Sequence, residues 1–246
     1  MAAKKGGWLG ALQKTGLTVS SASDALQVKG WLDTGNYALN WAISGRLLGG
    51  YPLGHTGEMF GDPGTGKSFL AARAIAMAQR QGGVALLDDS EGAYNKEHTA
   101  HLGVDVDALA YAHSRTVKEH LAVANGFVKA YREVKPKGPG VCVLDSLALL
   151  STEHEMEKQL DKRDMSKAAE LKAFYRIMLH DLNDLPVAHI ATNHTIAAIG
   201  SYNTRTTGGG GGPKFAATWR LDLRAISKMR NGSGEGAEVI GTICRV

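Results

Sequence analysis

From Thr34 onward, short apolar runs alternate with stretches whose apolar positions recur at helical spacing. The runs are EMFG (58–61), VALLDDS (84–90), ALAYAHS (108–114), VCVLDS (141–146) and VAHIATNH (187–194). Helical patterns begin at Gly66, Asn95, Val117 and Ser166, one between each successive pair of runs. Strand–helix–strand alternation of this kind predicts an α/β domain with a mostly parallel central sheet and helices on both faces. The C-terminal end has a different pattern. WRLDLRAISKMR (219–230), a turn NGSGEG (231–236) and AEVIGTICRV (237–246) predict an antiparallel hairpin that extends the sheet. Residues 1–33, rich in Gly, Ser and Lys with scattered apolar positions, read as an arm ahead of a core spanning 34–246. Between VAHIATNH and WRLDLRAISKMR lies RTTGGGGGPKF (205–215), whose five consecutive glycines are costly to order and read as a flexible hinge.

Composition narrows the picture only modestly. The chain of 246 residues is 43% hydrophobic and 21% charged, ordinary for a protein with a real core. Its 28 Lys+Arg against 24 Asp+Glu give +4, which permits a polyanionic partner without demanding one. Cys142 and Cys244 sit in apolar runs with no CxxC and no even framework, so both are expected to be buried free thiols in a reducing compartment. The N-terminal stretch MAAKKGGWLGALQKTG has no apolar run long enough for a signal peptide, and no segment approaches a membrane span. A cytoplasmic protein is the expectation.

The chemistry concentrates where the first strand meets the first helix. Residues 61–68 read GDPGTGKS, matching G-x-x-x-x-G-K-[ST]. Backbone N–H groups of Gly61, Asp62, Gly64, Thr65 and Gly66 are expected to close around phosphate oxygens, with Pro63 a donor-free member of the same loop and Phe69 in the first helical turn. In such a loop Lys67 reaches the β/γ-phosphates and Ser68 ligates Mg²⁺. Asp145, at the end of VCVLD, is the expected partner of the metal. Ser146 follows it, where many P-loop ATPases place a catalytic glutamate, so the base must come from another strand end. Glu91, after VALLDDS, is the candidate, with Asp88 and Asp89 as minor rivals. Asn193 and His194 close the strand VAHIATNH at the same edge and are expected to sense the γ-phosphate. His98 and His101 share helical spacing but lack a third ligand in sequence, so no metal site is read there.

Taken in order, TGNYALNWAISG (34–45), GDPGTGKS, DDSEGAYN (88–95), LGVDVDAL (102–109), VLDSLALL (143–150), ATNHT (191–195), TTGGGGGPKF and WRLDLRAI resemble the core of RecA-type recombinases over nearly the whole chain. The likeness is nearest to the phage, UvsX-like branch, through NHT and DMSKAAELKAFYRIM (164–178). The resemblance implies a RecA-like P-loop ATPase core that uses ATP and Mg²⁺, assembles into a helical filament on single-stranded DNA, and pairs it with homologous duplex DNA. It allows an ssDNA-binding protein and a loader as further partners, and no membrane.

It also implies two DNA-binding loops, about 153–165 and 195–213. Lys162, Arg163, Met165 and Lys167 are the candidates around the first. Ile199, Tyr202, Arg205, Thr207, Gly208 and Gly209 are those of the second, where aromatic or apolar side chains stack on bases and glycines let backbone approach phosphate. Lys214, Phe215 and Arg220 match family positions at the subunit interface, and GALQKTGLTVSSASDALQ resembles a segment that joins one subunit to the next. The chain stops at Val246, ahead of the basic residues that the family places beyond this strand, with Arg245 as a partial substitute. Two other readings stay open at this point: a ring-forming helicase of the same fold, and an ATP-binding accessory protein that does not recombine.

Overall fold

The computed structural model describes residues 7–25, 28–158, 166–197, 205–231 and 238–246. The chain begins with α1 (Gly7–Lys14), which buries none of its residues, and a short α2 (Ala22–Ala25). β1 (Trp31–Leu32) pairs antiparallel with β2 (Tyr51–Pro52), and α3 (Tyr37–Ser44) lies between them. Leu32 is fully buried in the core, so the end of the arm-like stretch packs with the domain.

The main elements then follow in alternation: β3 (Thr56–Gly61), α4 (Lys67–Arg80), β4 (Val84–Asp89), α5 (Lys96–His101), β5 (Ala110–Ala112), α6 (Val117–Val134) and β6 (Gly140–Asp145). After a 3₁₀ turn come α7 (Glu153–Lys158), α8 (Ser166–Leu182), β7 (Val187–Ala197), β8 (Arg205–Thr207), α9 (Gly211–Ala216), β9 (Trp219–Asn231) and β10 (Glu238–Arg245). Helix starts coincide with local capping chemistry. Asn95 caps α5 by accepting from the N–H of Glu97 and His98, and Thr116 caps α6 by accepting from Glu119.

The sheet runs β10-β9-β3-β7-β6-β4-β5, with β8 added antiparallel to the end of β7. β9 through β5 are parallel along that path, and β10 turns back against β9, the arrangement expected from the pattern. Period-2 alternation sorts the core. In β6, Val141 and Val143 join the layer under α4, while Cys142 and Leu144 join the layer of α6 and α8. Burial on both faces accounts for the near-continuous apolar runs.

Two expectations change. Cys244 is only partly covered, because β10 is an edge strand with most of its residues exposed, whereas Cys142 is buried and its thiol pKa is pushed up by desolvation. The glycine run does not form a loose hinge. Gly209 and Gly210 take positive φ (87° and 69°), and the chain then passes along α8 so closely that a Cβ on Gly212 would lie 3.0 Å from the Lys172 backbone nitrogen. Glycine is there for backbone conformation and close approach.

Candidate functional site

The phosphate-binding loop spans the β3–α4 junction. Gly66, at φ 91°, caps α4 without a side-chain bond, so the first N–H groups of the helix stay available to an anion. Lys67 begins the helix, is 6% exposed, and donates from Nζ to the carbonyls of Gly61 and Asp62, both at 3.0 Å. The Thr65 hydroxyl donates to the Asp62 carbonyl at 2.8 Å, so the loop is braced from both ends. Burial lowers the Lys67 pKa, and the carboxylates of Asp145, Glu91 and Asp62 oppose that shift. Gly61 is required by space, since a Cβ there would meet the Leu223 carbonyl oxygen at 2.3 Å. Beside the loop a cavity of about 400 Å³ is lined by Gly64, Gly66, Phe69, Leu223 and Cys244. Pro63 and Ser68 lie exposed on the loop and at the helix start.

Asp145 ends β6 and is 3% exposed. Its Oδ2 accepts from the Tyr94 hydroxyl at 2.9 Å, and its Oδ1 accepts from Thr192. The same Tyr94 hydroxyl lies 3.4 Å from the Ser68 carbonyl, which brings Ser68 and Asp145 to one place. A serine hydroxyl and a carboxylate are hard-oxygen donors of the kind that suits Mg²⁺, and an ionised carboxylate still has lone pairs after two bonds. Among the described residues, no cluster of three or more His, Cys, Asp or Glu offers an alternative metal site.

Glu91 lies on the loop after β4. Its Oε1 accepts from Ser146 Oγ at 2.6 Å and from His194 Nε2 at 2.9 Å. Partial burial pushes the carboxyl pKa up, but these two bonds, together with the charges of His194 and Lys67, outweigh it and hold the group below the usual carboxylate range. An ionised carboxylate only accepts, so His194 carries its proton on Nε2. Ser146, which occupies the place where a glutamate was sought, is thus the residue that orients the glutamate supplied by another strand.

The rival acids have other roles. Asp89 is fully buried and accepts from the backbone N–H groups of Glu91, Gly92, Ala93 and Tyr94, which folds the loop that carries Glu91. Asp88 is equally buried, on the other face of β4, and accepts from Ser114 and from His120 Nδ1 at 2.7 Å.

Asn193 and His194 point to opposite faces, as adjacent strand residues must. His194 meets Glu91. Asn193 is fully buried, and both of its amide N–H bonds are taken, by Glu58 Oε1 at 2.8 Å and the Gly208 carbonyl at 3.0 Å. Its Oδ1 accepts from the His194 N–H at 2.9 Å. The structure therefore places His194 against Glu91 and Asn193 on the opposite face, against Glu58. One residue on, the Thr195 hydroxyl donates to Asp62 Oδ1 and ties the strand's end to the phosphate loop.

The other sequence-derived positions are scattered. Lys162, Arg163, Met165, Ile199 and Tyr202 lie outside the described residues. Lys167 donates to the Ala148 carbonyl at 2.8 Å, and burial lowers its pKa. Arg205 and Thr207 belong to β8, Thr207 is 8% exposed, and Gly208 and Gly209 follow at the start of the glycine run. Lys214 and Phe215 are exposed on α9, Phe215 at 87%. Arg220 turns inward: its Nε donates to Glu58 Oε2 at 2.6 Å, and its guanidinium sits 4.4 Å from the Phe60 ring centroid.

Sequence reasoning missed Tyr94, Thr192, Ser146 as an orienting group, and Glu58. The tyrosine's place in EGAYN, three residues after Glu91, was an available signal. Glu58 had one too, as the single charge in an otherwise apolar strand.

Comparison with known proteins bears on this arrangement. The family described as the RecA N-terminal domain matches residues 13–246. Protein RecA of Bacteroides thetaiotaomicron is 30% identical over 234 residues, 94% of this chain and 67% of the relative. Protein RecA of Clavibacter michiganensis is 32% identical over 87% of this chain and 57% of its own length. Protein RecA of Nocardia farcinica is 31% identical over 94% and 64%. The chain thus spans roughly three-fifths to two-thirds of these relatives. With a phosphate loop, a β6 aspartate and a bridging glutamate on a RecA-like sheet, the chain belongs to the RecA family.

Proposed function

We propose that the chain is the ATPase core of a DNA recombinase that polymerises on single-stranded DNA and promotes homologous pairing and strand exchange. The observation that carries this reading is the bridge from the hydrolytic site to the second loop. Glu91 bonds His194, and β7 continues from His194 directly into the segment 195–213.

In this reading Lys67 and the backbone of residues 61–66 hold the phosphates. Ser68 and Asp145 hold Mg²⁺, which when bound neutralises charge on the β/γ-phosphate oxygens. Glu91 accepts a proton from the attacking water. Among the described residues only its Oε1 is bonded, by Ser146 and His194, which leaves Oε2 for that water. His194 exchanges its bond to Glu91 against the γ-phosphate, and the strand end transmits the change. Residues 153–165 and 195–213 are the DNA-facing loops, and binding through backbone charge and base stacking would show little sequence preference.

Self-association uses α9 with Lys214 and Phe215, and the arm 1–33, whose α1 is bare of buried residues and exposes Trp8. The phage-branch likeness, a cytoplasmic setting in a bacterium or phage-infected cell, and help from an ssDNA-binding protein and a loader belong to the same reading. Among the described residues no helix is long and apolar enough to cross a membrane.

Negative-stain electron microscopy on long single-stranded DNA, with and without a slowly hydrolysed ATP analogue, tests it. Open helical filaments that need the nucleotide are expected. Closed six-membered rings would replace the reading by a helicase, and bare DNA despite nucleotide binding would replace it by an accessory ATP-binding protein.

A further inference from the structure

Glu58 lies in the middle of β3, a central parallel strand, opposite Ala191 of β7 on one side and Arg220 of β9 on the other. It is 1% exposed. A carboxylate in such a place is strongly unfavourable unless it is fully paired. Here it is paired on both oxygens, Oε2 by Arg220 Nε at 2.6 Å and Oε1 by Asn193 Nδ2 at 2.8 Å. Each partner reaches onward to the same segment. Asn193 uses its second N–H on the Gly208 carbonyl at 3.0 Å, and Arg220 Nη2 donates to Thr207 Oγ1 at 3.3 Å. Two arms thus run from one carboxylate to two consecutive residues at the start of the glycine run.

We propose that Glu58 is a positioning residue: with Arg220 and Asn193 it latches Thr207 and Gly208 to the strand that carries His194. The inference deepens the recombinase reading and rests on it for its consequence, since the latched segment is the one assigned to DNA. Asn193 and His194 are neighbours further tied by the His194 N–H to Asn193 Oδ1, so a shift of the strand end at His194 carries the Asn193 amide with it. Gly208 either follows or loses its bond. Beyond Gly208 the chain runs through Gly209 and Gly210 along α8 into α9, which exposes Phe215. One displacement at the nucleotide edge therefore has a hydrogen-bonded side-chain route to both the glycine segment and the exposed aromatic, beside the backbone pairing of β8 with β7 and the Gly208 N–H to the His194 carbonyl.

Glu58→Gln keeps the side chain's shape but offers one oxygen and one NH₂ group, so it can accept from Arg220 or from Asn193 and sets a donor against the other. Hydrogen–deuterium exchange on the full chain reads the result. Amides of 205–212 are expected to exchange about tenfold faster in the variant, with α4 and β6 within about twofold of wild type. The double variant Glu58→Met with Arg220→Met replaces the ion pair by apolar groups of similar volume. It is expected to show the same segment-limited acceleration, and it decides the matter if the glutamine variant does not fold. Exchange in 205–212 equal to wild type, or acceleration spread evenly over α4 and β6, overturns the proposal. Nucleotide-dependent binding of a fluorescent single strand by the wild-type chain is measured alongside. Its absence refutes the recombinase reading and is distinguishable from a failed latch, which the exchange pattern alone reports.

Discussion

Replacing Tyr94 by Phe removes a single oxygen from the centre of the site. That oxygen donates to Asp145 Oδ2 at 2.9 Å and lies 3.4 Å from the Ser68 carbonyl, too far to count for much. The ring stays, so no cavity opens. What is lost is one hydrogen bond to a charged acceptor that is 3% exposed. Such bonds contribute about 1.5–3 kcal/mol, and the higher part of that range applies because water cannot readily replace the donor. Burial and the Asp145 charge both raise the tyrosine's pKa, so the hydroxyl remains a donor throughout the accessible pH range. Equilibrium urea unfolding should therefore show Tyr94→Phe less stable by about 2.5 kcal/mol with an unchanged slope. Asp145 keeps Thr192 as its one remaining side-chain donor among the described residues and loses part of its orientation. Removing groups that orient a metal ligand typically costs about 10–100-fold in metal affinity, so the Mg²⁺ midpoint for tight binding of a fluorescent ATP analogue should rise about tenfold or more. Unfolding within about 0.5 kcal/mol of wild type, or an unmoved Mg²⁺ midpoint, would refute the reasoning.

Glu91→Gln should lower phosphate release by about 10²–10⁴-fold while an ATP analogue still binds, since a general base contributes on that scale and the phosphate-holding groups are untouched. Gly210→Ala forces a Cβ onto a φ of 69° and to within 3.0 Å of the Ala168 Cβ, so thermal unfolding should report a loss of about 1–2 kcal/mol. Asp88→Asn should be destabilising at pH 7 by about 1–3 kcal/mol, because an amide donor meets Ser114 or His120. Burial raises the Asp88 pKa, but the bonds from His120 and Ser114 more than offset it and leave the carboxyl below its ordinary value. Its stabilisation is thus present above the ordinary carboxylate pKa, roughly pH 4, and is lost as pH falls through the lower native value. The gap between Asp88→Asn and wild type should shrink in unfolding measured near the acid end of that window.

The elements, and the residues gathered at the candidate site (Lys67, Glu91, Asp145 and His194 among them), were legible in the sequence because their causes are local. Glycines at the phosphate loop, caps at Asn95 and Thr116, and strands buried on both faces follow from backbone conformation and from side-chain period. Three-dimensional packing decided the rest. That Asn193 and His194 face apart follows from strand geometry, but which of them meets Glu91 depends on which layer lies on each face of the sheet. Composition makes residues 208–212 a flexible run, yet α8 lies so close to Gly209, Gly210 and Gly212 that a Cβ there would be crowded, and proximity to a helix distant in sequence has no local signature. Glu58 reads as a stray charge in an apolar strand until the fold brings Arg220 and Asn193, more than a hundred residues away, to its two oxygens. The sequence alone determined which groups can bind phosphate and metal. The tertiary structure determined which groups are already committed to one another, because hydrogen-bond capacity is used up only when the chain is folded.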